Sequence, residues 1–408
     1  MKRFAIAAVS LLAGVVVGAA LMLATQSLSS ERGTTASAPT ATVPGATPTT
    51  QDEPVPSITR VAPPVSDQVL VVWTPGGLPE AFADRLAALP GVTAVTTVRS
   101  DLVHLAESQG ADGEIVDKPA DGMVIPLEMM AFDPATYPAF LPRQDSNAFA
   151  NLAVGQVILG STSAQLRRLG PGAVLTFEDG SSLTVAAVVD DVLIGAAEAA
   201  LQVTEADVVG VAVERYLLIR YSGERGELEG SIREELPAGL AVRIRAPGET
   251  PVLRHGDAVL PQVFIKEQFG EFAYRPGEDL TFELEAEWVD ANIVTSQVPM
   301  LGEVKCHRIL LPSLMGAMEE IERRNLGFLI DPDGFLGCFN PRYIANGKGI
   351  SRHAWGAAVD INIGSNPEGL ESIQDPRLIE IMEQWGFTSG DDWLIPDPGH
   401  FEYLRPAP

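Results

Sequence analysis

Two histidines and two aspartates near the C-terminus have the types and spacing of a metal-dependent hydrolytic site. His353 and Asp360 stand seven positions apart in Ser351-Arg352-His353-Ala354-Trp355-Gly356-Ala357-Ala358-Val359-Asp360, and His400 follows in Asp397-Pro398-Gly399-His400. A catalytic zinc takes three protein ligands and keeps a further position for water. His353, Asp360 and His400 supply such a set, with Zn2+ as the cofactor they suit. Asp397, three residues before His400, is within reach of such a water and is the candidate general base. Glu402 is a candidate to orient a ligand imidazole. The plainer alternatives are an Asp360 bonded to nearby backbone and an Asp397 that only forms a turn before proline.

The elements that must carry these residues follow from the same stretch. A separation of seven does not put His353 and Asp360 one helical turn apart. It fits a loop followed by a strand, with Gly356 permitting a tight turn. Ala357, Ala358, Val359 and Ile361 predict a buried strand around Asp360, where an acid is costly unless it is paired or binds a metal. Phe401-Glu402-Tyr403 reads as a second strand of the same sheet. Upstream, Leu314, Met318 and Ile321 share a face and predict a helix over 310–325, and alternation predicts a strand over 280–288. The chain has two cysteines, Cys306 and Cys338, which in an exported protein read first as a disulfide and otherwise as buried thiols. Closing a loop of that length would stabilise by roughly 3–4 kcal/mol in the chain-entropy account.

Taken together, the Ser351–Asp360 pattern (Ser-x-His-x-x-Gly-x-Ala-x-Asp), Trp385-Gly386-Phe387, Gly390-Asp391-Asp392-Trp393 and Asp397-x-x-His400-Phe401-Glu402 resemble the M15 family of zinc peptidases. That family includes D-Ala-D-Ala carboxypeptidases and L-alanyl-D-glutamate endopeptidases, and the Asp-x-x-His-Phe-Glu ending resembles the endopeptidase-like branch more. The resemblance covers about residues 290–405. It implies His353, Asp360 and His400 as zinc ligands, Asp397 as general base, and Arg342 as an arginine that faces the substrate, where a surface salt bridge is the alternative. It implies peptidoglycan stem peptides as substrate. Ser351 is expected to fix the His353 loop through a backbone hydrogen bond rather than to act as a nucleophile. Trp355 and Trp393 either wall the cleft or pack the core. His307 is expected in the core.

Earlier in the chain, Met1-Lys2-Arg3 precedes an uncharged apolar run over 4–24, long enough to span a bilayer. It predicts an anchor with the rest outside the cell, or else a cleaved signal peptide that would leave a secreted protein. A Thr/Ala/Ser/Pro-rich stretch to about residue 66 predicts a disordered tether. Order resumes with a β-α-β pattern over 68–98, followed by strand signals at 123–127, 156–159, 173–177, 182–189, 215–221 and 241–245. Helical patterns fall at 163–169 and 227–236. His104 reads as a satisfied or solvated residue, and His255 as exposed in a Pro/Gly-punctuated linker over 245–261. Leu89-Pro90-Gly91-Val92 and the 154–189 segment make residues 67–250 resemble the extracellular domain of FtsX/MacB-type ABC permeases, which implies a module for positioning or for a protein partner.

The expected fold class is α+β: a single N-terminal transmembrane helix over 1–26, a linker over 27–66, a mixed α/β middle domain over 67–250, and a small α+β zinc peptidase domain with a central antiparallel sheet over 262–408. The net charge of −26 argues against a nucleic-acid partner. The function expected is zinc-dependent hydrolysis of stem peptides at the cell membrane. The alternative is a catalytically idle wall-binding or transporter-associated protein.

Overall fold

The computed structural model describes residues 68–406, apart from 121, 259, 278–279 and 345–348. The expected transmembrane helix and tether lie outside the described residues. The expected fold class is nonetheless corrected. Among the described residues no helix is long and apolar enough to cross a membrane, and one ten-stranded mixed sheet dominates the middle of the chain. The described residues also fall within one compact unit.

The sheet begins with β1 (Val69–Trp73), whose five residues are all buried. An uninterrupted apolar run fits a strand covered on both faces. Leu70 and Val72 join one core with Phe82 and Leu86 of α1 (Phe82–Ala87), while Val69, Val71 and Trp73 join another. The chain then enters β2 (Val92–Gln109), an 18-residue strand where the sequence signalled only its first third. After β2 come β3 (Ile115–Asp117), β4 (Ile125–Phe132), α2 (Ser146–Ala150), β5 (Gln156–Gly160), α3 (Ser161–Arg167), β6 (Val174–Phe177), β7 (Ser182–Val189), β8 (Ala199–Gln202), β9 (Glu214–Tyr221), α4 (Arg225–Glu234) and β10 (Arg243–Arg245).

Two arrangements share β2. In the first, the strand order β10-β1-β9-β2 makes two interleaved β-α-β units, because β9 lies between β1 and β2 and pairs antiparallel with both. This is the split β-α-β arrangement, not the adjacent pair that the local pattern suggests. In the second, β2, β4, β8, β5, β7 and β6 pair in sequence and β6 returns to β2, so the sheet closes on itself. Its interior holds Leu105, Leu127, Met129, Val157, Leu159, Leu175, Phe177, Val185 and Leu201, all nearly inaccessible. Closure leaves no free edge. Register shifts along β2 at Val92/Ala94, Val98/Arg99 and Leu105/Glu107 let a single strand serve both.

The C-terminal region follows as α5 (Gln262–Phe269), β11 (Tyr274–Arg275), β12 (Glu283–Leu284), α6 (Ala286–Asn292), β13 (Ile293–Val298), β14 (Gly302–His307), α7 (Leu311–Arg323), β15 (Ala358–Asp360), α8 (Pro376–Gln384), β16 (Phe387–Gly390) and β17 (Asp397–Tyr403). The strand expected over 280–288 is instead the two-residue β12 and the start of α6. Trp288 is buried there against Phe272 at 5.1 Å, so packing overrides the alternation. Nor is 245–261 a free linker: Val252 and Leu260 are buried, and Asp257 accepts from Arg245 at 2.5 Å and from the Leu394 N–H at 2.7 Å.

A buried ion cluster locks α5 to the closed sheet. Lys266 Nζ lies 2.8 Å from a carboxylate oxygen of Glu198 and 2.8 Å from one of Glu271. Arg167 bonds Glu271 and lies 3.5 Å from Glu198. Gln262 donates to Glu198 at 2.8 Å. Two cations face Glu198 and Glu271, with Asp117 lying 3.9 Å from Arg167, and the side chains of Arg167, Glu198 and Lys266 are at most 1% exposed. Burial alone would raise the Glu271 carboxyl, but Arg167 and Lys266 outweigh it and hold it below the ordinary value. Removing one partner leaves an uncompensated buried charge, which costs about 3–5 kcal/mol. Lys266→Met is therefore expected to destabilise the chain by about that much in denaturant unfolding. A loss within about 1 kcal/mol, as for an exposed pair, would show that the cluster does not bind the two regions together.

Candidate metal centre

Each donor of the site is held by a different local device. His353 sits in a single 3-10 turn (Arg352–Trp355), where Ser351 caps the turn by accepting from the His353 N–H at 3.3 Å. Gly356 ends the turn at φ 62°, and a Cβ there would lie 2.7 Å from the backbone nitrogen of His307. Glycine thus meets both the left-handed conformation and the close approach of β14. The chain passes directly into β15, which pairs antiparallel with β17 in the register Ala358↔Glu402, Val359↔Phe401 and Asp360↔His400. Directly opposed residues project to one face, as do residues two apart along a strand. Asp360, His400 and Glu402 therefore share a face, and the small Ala358 opposite Glu402 leaves that face open.

Three donor atoms converge there. His400 Nδ1 is 2.8 Å from Asp360 Oδ1, His353 Nε2 is 3.1 Å from the same oxygen, and the two ring nitrogens are 3.3 Å apart. His353 and His400 are buried and Asp360 is half-buried. A tetrahedral ion with bonds of about 2.0–2.1 Å spaces its ligands roughly 3.3 Å apart, so the triangle suits a metal with little movement. The far side of each ring supports this use. His353 Nδ1 lies 2.9 Å from the carbonyl of Cys338, and His400 Nε2 lies 3.5 Å from Glu402. With those nitrogens carrying the protons, Nε2 of His353 and Nδ1 of His400 are left as donors. Cys338 is in turn bonded to Cys306 of β14 in a disulfide, which fixes the segment whose carbonyl orients His353.

Electrostatics favour a cation at this point. Burial alone would raise the Asp360 carboxyl, but hydrogen bonds from His353 and His400 outweigh it and hold it well below the usual carboxylate range. Burial alone would lower His400, but its bonds to Asp360 and Glu402 push it up to about 10. Without a metal, a proton on His400 fills the role of the positive charge. Metal binding must release it.

Asp397 opens β17 beside the three donors. A Cβ at Gly390 would come within 2.6 Å of the Asp397 carbonyl, so glycine allows β16 to approach this point. Burial raises the Asp397 carboxyl above its ordinary value and outweighs the opposing pull of His400, with smaller upward contributions from Asp360 and Glu368. A cavity of about 500 Å³ is lined by Asp397, His400, Glu402, Ser351, Arg342 and Trp393. The Trp393 ring centre lies 5.3 Å from that of His400. Trp355 lies elsewhere: it is fully buried, packs on Phe272 at 4.6 Å and donates to the Gly270 carbonyl at 3.2 Å, so it belongs to the core. His307 is also interior, and burial lowers it to about 4. His104 is bonded to Glu178 at 2.6 Å and Tyr274 at 2.7 Å.

The same cavity is lined by Trp73, Glu128, Arg215, Arg254 and His255, none of which was expected at the site. His255 is not the exposed linker residue expected. Its side chain is 23% accessible, and burial, with Arg254 and Arg215 nearby, holds it well below the ordinary histidine value. No local pattern marks these positions, because they reach the site only through the tertiary fold.

Residues 345–403 match the M15 peptidase family model described as D-alanyl-D-alanine carboxypeptidase. The match spans His353, Asp360, Asp397 and His400 but not Arg342. No curated protein matches the chain. Among solved structures, the chain is similar to the periplasmic region of MacB from Actinobacillus actinomycetemcomitans, at 13% identity over 45% of this chain and 90% of that one, with a TM-score of 0.32. It is also similar to the extracellular domain of the noncanonic ABC-type transporter YknZ from Gram-positive bacteria, at 12% identity over 40% of this chain and 88% of that one, with a TM-score of 0.27. Likenesses this weak assign no role to the middle region.

The geometry makes a direct prediction. The purified chain is expected to bind about one divalent ion per molecule, and Asp360→Asn or His353→Ala to reduce occupancy at least tenfold, as read by elemental analysis after gel filtration. Full occupancy in both variants would remove these residues from the ligand set.

Proposed function

We propose that this chain is a zinc-dependent peptidase that hydrolyses an amide bond in peptidoglycan stem peptides, either as a D-alanyl-D-alanine carboxypeptidase or as an L-alanyl-D-glutamate endopeptidase. The observation that carries this reading is the convergence of His353, Asp360 and His400 beside Asp397, inside the segment that matches a peptidase family. Two neutral imidazoles and one carboxylate are a donor set that suits zinc. Zinc bound there would supply a water acidified toward neutrality and a polarised scissile carbonyl.

The chain's own residues do the rest. Glu402 and the Cys338 carbonyl keep the two rings in the tautomers that expose Nδ1 of His400 and Nε2 of His353. Asp397, as a carboxylate, accepts the proton of the attacking water and delivers it to the leaving nitrogen. Its raised proton affinity suits both transfers, since a base too weak to hold the proton could not pass it on. Arg342, in the same cavity, presents a guanidinium to the substrate, where it can hold a carboxylate or the charge that develops on the carbonyl oxygen. The Cys306–Cys338 disulfide is in keeping with an oxidising compartment outside the cytoplasm, where such a substrate is found.

Zinc-loaded full-length chain is expected to release a product from purified muropeptides, identified by mass spectrometry, and to lose that activity on chelation and regain it with zinc. Asp397→Asn should retain zinc and lower kcat by about 10²–10⁴. Because the base must be ionised and burial raises its proton affinity, kcat/KM should fall with acid as Asp397 takes up a proton, and Asp397→Asn should remove that limb. Zinc-loaded chain that cleaves no muropeptide would sink the reading.

A further inference from the structure

The cavity beside the metal centre is not made by the peptidase-family segment alone. Trp73 at the end of β1, Glu128 of β4, Arg215 of β9 and the 254–258 segment line it together with Asp397 and His400. Several of these side chains are already committed. Arg215 donates to Asp101 at 2.6 Å and to the Ser100 carbonyl at 2.7 Å. Arg254 bonds Glu128 through Nη2 and the His255 carbonyl through Nε at 3.2 Å.

What remains is uncommitted. Nη1 of Arg254, Nε2 of His255 and Nε of Arg352 are buried and have no hydrogen-bond partner among the described residues. All three residues line the cavity. A buried polar atom without a partner costs roughly 1–3 kcal/mol, and native proteins leave few of them. Others lie elsewhere among the described residues, but these three and Nε1 of Trp73 belong to residues that line this one cavity. Glu128, 3.9 Å from His255 Nε2, is engaged by Arg254 and does not complete the set. A guanidinium can only donate, so Nη1 of Arg254 and Nε of Arg352 call for an acceptor, and Nε2 of His255 donates to the same acceptor in the tautomer that carries its proton there.

We propose that the middle region and the 254–258 segment that follows it form part of the substrate-binding wall, with Arg254 and His255 of that segment donating to an acceptor oxygen of the bound peptide, either a carboxylate or a peptide carbonyl. This rests on the peptidase reading for the identity of the ligand and not for the existence of the subsite. It makes the middle region a determinant of which peptide is held, in addition to any role in positioning the chain.

The test uses the full-length chain carrying Asp397→Asn, so that binding is read without turnover. The probes are a stem pentapeptide ending in D-Ala-D-Ala and the same peptide with its carboxylates amidated, measured by calorimetry with zinc present. Adding His255→Ala or Arg254→Lys is expected to weaken binding about tenfold or more. A loss seen with the acid but not the amide assigns the acceptor as a carboxylate, and an equal loss with both assigns a peptide carbonyl. In the otherwise wild-type chain the same changes should fall on KM rather than kcat. If Arg254→Lys does not fold, by its circular dichroism, His255→Ala decides alone. Unchanged affinity for both probes, or no binding of either by the parent, overturns the subsite. Hydrolysis by the wild-type chain is scored separately, so weakened binding without any wild-type turnover would retain the subsite and discard the peptidase.

Discussion

The pairing register between β15 and β17 is the constraint on which the metal centre rests. Asp360 stands opposite His400, and this single alignment creates the 2.8 Å approach between them. A strand's side chains alternate with period two, so a slip of one residue would turn Asp360 to the other face and leave His400 opposite Val359. The site's other fixed points guard the alignment. Gly356 allows the His353 turn to meet β14, Gly390 allows β16 to reach Asp397, and Val359 and Phe401 pair on the opposite, fully buried face. The apolar partners hold the register, and the polar partners use it.

A second constraint acts at longer range. The Arg167–Glu198–Lys266–Glu271 cluster is buried where the closed sheet meets α5. Buried ion pairs are weak net stabilisers but are costly to break, so they penalise any other docking of the two regions. That matters for function because the cavity takes its wall from both. A loose junction would leave Arg254 and His255 at no defined distance from Asp397. The cluster thus acts on specificity of arrangement more than on stability.

What could be read in the sequence follows from how local each signal is. His353, Asp360, Asp397 and His400 lie within a 48-residue stretch whose glycines and apolar flanks announce a turn and two strands. Isolated runs such as 182–189 and 215–221 are legible for the same reason, the first because its start alternates between buried and exposed and the second because its centre is a continuous buried run. The 18-residue β2 is legible only at its start. Its later half carries Asp101, His104, Glu107 and Ser108, which look like loop residues until Arg215, Tyr274 and Asp117 supply their partners. The strand expected over 280–288 fails for the converse reason: Trp288 alternates as a strand residue would, but its ring is captured by a helical packing site against Phe272. Sheet closure depends on pairings such as Leu105↔Phe177, and the composite cavity on segments more than a hundred positions apart, which no short window on the sequence contains.

The same groups that make the centre attractive to a metal make it attractive to a proton. Asp360 and Glu402 flank His400 on its two nitrogens and raise its proton affinity far above that of a free imidazole. A divalent ion at Nδ1 gains from Asp360 what the proton gains, and gains more because its charge is larger and His353 adds a third donor. Glu402 remains paired with the distal N–H in either state, so it does not discriminate between proton and metal. It fixes the ring. Discrimination falls to His353, whose Nε2, 3.1 Å from Asp360 and 3.3 Å from His400, adds a third donor to an ion, whereas a proton shared by His400 and Asp360 already has its two partners. In that sense the 3-10 turn that Ser351 caps, and the disulfide that holds the Cys338 carbonyl against His353, decide whether this corner of the sheet is a salt bridge or a metal site.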